Sequence, residues 1–133
     1  MKVDEYATPA IVTKDSPRPF GDTVTRLVDL ITVRGMKVFT VVDQAAEART
    51  VGLQLRPTTL VVFGNPAAGT AVMAAAPLAA LDLPMKILIW ADGGATKVSY
   101  FGPPELAARY QLAPEIAQNL AGIDRLTDDL VGP

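Results

Sequence analysis

MKILIWADGGATKVSYF, residues 85–101, decides the fold of this chain. An apolar run over 85–91, an Asp-Gly-Gly, and a second run over 96–101 rich in β-branched and aromatic side chains spell a β-hairpin with a tight turn. A hairpin is an antiparallel pair, so the sheet that holds it is not the all-parallel sheet of repeated strand–helix–strand units.

Working back from the hairpin, TTLVVF (58–63) reads as a strand, and FGNPAAGT (63–70) turns it into a helix. Asn65 is a capping side chain and Pro66 takes the first helical position, where its missing N–H costs nothing. The helix is expected to run to about Ala76, because Pro77 cannot continue it. Further upstream, PAIVTK (9–14) suits a first strand. Val24, Leu27, Val28 and Ile31 share one face of a helix that Gly35 closes, and MKVFTVV (36–42) reads as a strand. Asp43 caps a short helix over 44–49, and VGLQLRP (51–57) reads as an extended connection. Downstream, one helix reaches Tyr110 and another starts at Pro114, carrying Ile116, Leu120, Ile123 and Leu130 near helical spacing. The expected fold is therefore α+β: one domain over 1–133 with its core at about 10–130, and a mixed sheet of about five strands with helices packed on it.

Composition excludes much chemistry. The 133 residues contain no His and no Cys, so Ser-His-Asp and Cys-His catalysis, imidazole or thiolate metal sites and disulfides are impossible. Neither Ser16 nor Ser99 lies in a nucleophile elbow. A net charge of −2 without a basic run argues against nucleic acid. Asp124, Asp128 and Asp129, beside Arg125, read as a solvated helix face rather than a metal site. No metal and no cofactor is expected. The apolar stretch 66–81 is too short and too broken for a membrane span, and acidic residues near the amino terminus argue against an export signal, which points to the cytoplasm. Half the residues are apolar and the mean hydropathy is +0.27, more apolar surface than a small fold hides alone, which points to a homodimer.

Two sites are open on this reading. A helix start after a strand offers unpaired amides to phosphate or carboxylate, so Asn65 and Thr70 are candidate contacts for a small polar or anionic ligand. The competing reading is structural: Asn65 only caps, and Gly69 only lets the helix lie close to the sheet. Asp82 and Lys86, flanking Pro84, are the weak catalytic candidates, for imine formation or proton transfer. Otherwise Lys86 extends into water and Asp82 caps a turn. Trp90 and Tyr100 on the hairpin strands are candidates to stack on a planar ligand.

The ordered motifs LRPT, FGNP-x-x-GT, LDLP-x-K and SY make the chain resemble the domain-of-unknown-function 302 family over roughly 10–130. The resemblance implies a small bacterial or archaeal α+β protein, often dimeric, with no activity to carry over. It preserves Arg56, Gly64, Asn65, Pro66, Gly69, Thr70, Asp82, Pro84, Lys86 and Tyr100. Relatives commonly read IDHAAGA and LAxRHG where this chain has VDQAAEA and LAARYQL, so Gln44 and Tyr110 stand in the places of two histidines. The combined candidate ligand contacts are Asn65, Gly69, Thr70, Lys86, Gln44 and Tyr100, on an expected non-catalytic binder, with an enzyme or a protein-interaction subunit as the alternatives.

Overall fold

A computed structural model describes residues 10–133. Pro9, expected in the first strand, and the residues 1–9 read for an export signal lie outside the described residues. In chain order the elements are β1 (Ile11–Ser16), α1 (Phe20–Val33), β2 (Lys37–Asp43), α2 (Gln44–Thr50), β3 (Thr58–Gly64) and α3 (Pro66–Ala75). A 3-10 turn over Pro77–Asp82 leads to β4 (Met85–Asp92), β5 (Ala95–Phe101), α4 (Pro103–Arg109), α5 (Pro114–Ala117) and α6 (Gly122–Val131).

The five strands form one sheet in the order β1-β5-β4-β3-β2. The class and strand number are those expected, but all four neighbouring pairs are antiparallel rather than mixed. The reason is topological: β2 to β5 form a meander, while α1 carries the chain from one edge strand to the other, so the helical crossover joins strands that are not neighbours. At the hairpin, Gly93 takes the left-handed conformation (φ 60°) that the tight turn needs.

Strand alternation sorts the faces. Val61, Phe63, Ile87, Ile89, Val98 and Tyr100 point to one side, where they meet Leu27 and Ile31 of α1 and Ile123, Leu126 and Leu130 of α6. These side chains are almost wholly removed from water, each stabilising by about 1.5–3 kcal/mol. A second, smaller cluster, Val72, Ala79, Leu106 and Leu120, gathers α3, the 3-10 turn and α4 beyond the end of the sheet. Met85 packs against both clusters.

Helix boundaries differ from expectation where side chains override local signals. Helix α1 begins at Phe20, earlier than its apolar period suggests, because Phe20 packs into the core and Thr23 N–H donates to the Pro19 carbonyl (3.0 Å). The single helix expected from Pro114 is divided by a 3-10 turn at Gln118–Leu120. That break turns Leu120 into the small cluster and Ile123 into the main one. Arg18 donates to the carbonyls of Leu130 and Gly132 (2.7 Å each), and Arg26 to those of Leu130 (3.2 Å) and Asp129 (3.0 Å). Two guanidinium groups thus satisfy the end of α6, where the helix dipole favours cations.

Candidate functional site

The Asn65 start of α3 is closed on itself. Asn65 Oδ1 accepts from the amides of Ala67 (3.0 Å) and Ala68 (3.4 Å), Gly69 N–H donates to the Asn65 carbonyl (2.9 Å), and Pro66 has no N–H. The Thr70 hydroxyl donates to the Pro66 carbonyl (2.7 Å). The amides a phosphate or carboxylate would use are therefore paired within the helix. Gly69 is not placed there by close packing: a methyl group built on it meets only Met73 Cε, at 4.0 Å.

Beside this helix start lies a cavity of about 720 Å³, within the size range of small-molecule sites. It opens at the seam between the two apolar clusters. Phe63 and Met85 come from the ends of the central strands, Met73 from α3, Leu83 from the approach to β4, and Leu120 and Leu126 from the last helices. Met36 and Phe39 form its side toward β2. The polar groups at its wall are Arg34, Asn65, Thr70, Asn119 and Arg125. Arg34 is ion-paired with Asp129. Arg125, Asn119 and the Asn65 Nδ2 group make no hydrogen bond or ion pair among the described residues, so their donors are available to an occupant. Sequence reasoning missed Arg125 and Asn119, because each looks like an ordinary exposed helix residue.

The other candidates lie elsewhere. Gln44 is exposed at the opposite end of β2 from the cavity. Tyr100 points into the main core, 4% exposed, and donates its hydroxyl to Asp124. Trp90 is on the other face of the sheet, where its indole donates to Ser99 Oγ (2.9 Å), so the two aromatics share no groove. Asp82 and Lys86 border a crevice of about 10 Å³, room for a single water at most.

One oxygen of Asp82 takes two donors. Its Oδ2 accepts from Arg109 Nη1 (2.7 Å) and from the Tyr110 hydroxyl. Burial, the largest single influence, pushes the carboxyl up, yet the hydrogen bonds from Tyr110 and Arg109 and the charges of Arg109 and Lys86 outweigh it and hold the group below its ordinary range. Such a carboxylate is a poor general base.

The three C-terminal acids lie on an exposed face of α6, as expected, and each also makes a contact there: Asp124 accepts from the Tyr100 hydroxyl, Asp128 pairs with Lys14 (2.8 Å), and Asp129 pairs with Arg34. The contact with Lys14 follows from the pairing of β1 with β5, which brings Lys14 beneath α6, a contact across 113 residues of sequence in its bond to Thr127 Oγ1 (2.6 Å). No group of three acidic residues among the described residues is arranged to hold a metal ion.

Fold and site together define a small α+β domain, one sheet face covered by helices, with a mostly apolar cavity beside a capped helix start. The chain belongs to the family described as Domain of unknown function DUF302, whose sequence pattern matches residues 12–130. Its fold is similar to that in the crystal structure of an uncharacterized conserved DUF302 protein from Bacillus stearothermophilus, with a TM-score of 0.78 over 93% of this chain and 97% of that one, at 20% identity. It is also 40% identical over 103 residues to proteins named Fluoride-specific ion channel FluC 1 of Brucella suis and Fluoride-specific ion channel FluC 2 of Brucella melitensis. The match takes in 77% of this chain but 41% and 38% of those proteins, so the chain spans about two fifths of their length. No helix among the described residues is long and apolar enough to cross a membrane.

Proposed function

We propose that this protein is a non-catalytic cytoplasmic binding domain, working as a homodimer, whose ligand has an apolar body and one polar or anionic head. The observation that carries this reading is the cavity itself: an apolar interior of about 720 Å³ with the unpaired donors of Arg125, Asn119 and Asn65 at its wall. An apolar body gains from leaving water for such walls, and a guanidinium at the rim selects a carboxylate or phosphate head. The helix start contributes Asn65 Nδ2 rather than its backbone amides, because those are already paired.

The test is thermal denaturation with straight-chain carboxylic acids of increasing length, each beside its primary amide. A ligand at a hundred times its dissociation constant stabilises by about 2.7 kcal/mol. The reading expects the Tm rise to grow with chain length and to favour the acid over the amide in wild type but not in Arg125→Gln. A flat response across the series would overturn it.

A second reading, an interaction subunit, is favoured by the Brucella relatives, in which a segment like this chain is part of a longer protein named as a fluoride channel. On that reading the domain serves an ion channel. Affinity capture of the tagged chain from detergent-solubilised host membranes tests it, and recovery of no channel protein speaks against it. An imine or proton-transfer role for Lys86 and Asp82 has less support, since Asp82 already accepts two hydrogen bonds and the adjoining crevice admits no substrate.

A further inference from the structure

We propose that Asp129 sets the charge of the ligand's head: it reserves the cavity for a singly charged head such as a carboxylate and turns away a doubly charged one such as a phosphate monoester. The inference rests on the binding reading above and deepens it, by deciding between the two heads that a guanidinium accepts.

Helical spacing places Asp129 beside the cavity. Gly122, Ile123, Arg125 and Leu126 are the α6 residues that line it. Asp129 follows Arg125 by four positions and Leu126 by three, so it continues the same face, and residues four apart on a helix have Cβ atoms about 5–6 Å apart. Its carboxylate is ion-paired with Arg34, the residue that closes α1 and that also lines the cavity. Two cations from two helices thus share one wall, with a carboxylate bonded to the first and one helical turn from the second.

Arg34 and Arg125 are the only charged residues among those lining the cavity. Asp129 cancels Arg34 and leaves Arg125, which has no ion pair or hydrogen bond among the described residues, as a single positive charge facing an occupant. A carboxylate head matches that charge. A phosphate monoester brings a second negative charge, and the cation that would match it is already held by Asp129, whose own charge repels the newcomer. Lys37 lies over the Phe39 ring (5.0 Å) but does not line the cavity, and it acts on every variant below alike.

The pair is also open to substitution. The side chains of Arg34 and Asp129 are 30% and 50% exposed, a setting in which ion pairs contribute little to folding. The Asp129 carbonyl, which accepts from Arg26 (3.0 Å), survives replacement of the side chain.

The test compares decanoate with decyl phosphate by calorimetry at about pH 8, where a phosphate monoester is close to doubly charged. The quantity read is the ratio of the two dissociation constants within one protein, so a change in stability, which moves both alike, cancels. Wild type is expected to favour decanoate. Asp129→Asn is expected to shift the ratio toward decyl phosphate by about three- to tenfold, the effect of one charge roughly 6 Å from the head across a hydrated rim. Adding Arg34→Gln to Asp129→Asn is expected to return the ratio toward that of wild type, and Asp129→Glu, which keeps the charge, to leave it there. A wild type that prefers decyl phosphate, an unmoved ratio in Asp129→Asn, or an equal shift in Asp129→Glu overturns the selection by Asp129 while the binding reading stands. A shift that survives the added Arg34→Gln overturns the part given to Arg34. Failure of wild type to bind either compound overturns the binding reading and this inference together.

Discussion

Tyr110 donates its hydroxyl to the carboxylate of Asp82, 28 residues earlier, joining the end of α4 to the turn before β4. The phenol works here as a neutral donor. Its own pKa is raised, first by that hydrogen bond to Asp82.

The pH consequence of this pair has a definite sign. Asp82 has its folded pKa held below the ordinary 3.8, so its contribution to stability is present above that value and is lost as pH falls through the lowered one. Tyr110→Phe removes a donor that holds the carboxyl down. Acid unfolding followed by fluorescence is expected to begin at higher pH in Tyr110→Phe than in wild type. An unchanged acid midpoint would contradict the role given to the pair.

Tyr100 is expected to matter for stability and not for binding. Tyr100→Phe leaves Asp124 without its donor at the β5–α6 contact and is expected to cost roughly 1–3 kcal/mol in urea denaturation. Because Tyr100 lies outside the cavity, ligand-induced Tm shifts are expected to match those of wild type. Burial is the first cause raising the Tyr100 pKa, followed by the Asp124 hydrogen bond. Its contribution is therefore present below its ordinary 10.0 and is lost as pH rises through the raised value, where the Tyr100→Phe variant and wild type converge.

Two glycines are expected to respond in opposite directions to alanine. Gly35 ends α1 at φ 76°, with its N–H on the Thr32 carbonyl (3.0 Å) and the Met36 N–H on the Ile31 carbonyl (3.1 Å). Gly35→Ala is expected to cost about 1 kcal/mol or more. Gly69 is an interior helix residue with open space at its Cβ, so Gly69→Ala is expected to stabilise by up to about 1 kcal/mol. Paired denaturation curves check both signs.

Asn65→Ala separates two ways of holding an anion. It removes the cap of α3 and is expected to cost about 0.5–2 kcal/mol of stability. It also frees the amides of Ala67 and Ala68. If those amides are the anion site, carboxylate binding tightens in Asn65→Ala. If Arg125 is the anchor, binding is unchanged or weakens with the lost Nδ2 donor, the result expected here. Calorimetry with one responsive acid decides between the two.

The parts of the fold legible in the sequence were those set by neighbouring residues. The 92–95 turn, the Asn65–Pro66 cap and the glycine end of α1 each depend on local backbone chemistry, and each is found where its residues indicate. Strand partners were not legible, because pairing β1 with β5 depends on which edge a crossover reaches. That single fact hid the Lys14–Asp128 contact, which an exposed acid of α6 makes with the first strand. At the candidate site, the sequence pointed to Asn65, Gly69 and Thr70, which do border the cavity, whereas Gln44, Lys86 and Tyr100 do not. Arg125 and Asn119 join them only through the break between α5 and α6, a bend driven by two separate apolar clusters and carried by no local motif.

The crossing made by α1 also imposes an order of assembly. Strands β2 to β5 follow one another in the chain and can zip as neighbours, but Thr13 meets Ser99 only across 86 residues (2.8 Å between their hydroxyls). A nascent chain must carry its opening strand unseated until Phe101 has been synthesised. β1 thus docks only after the strands that follow it, and α6, resting on it, closes the molecule like a latch.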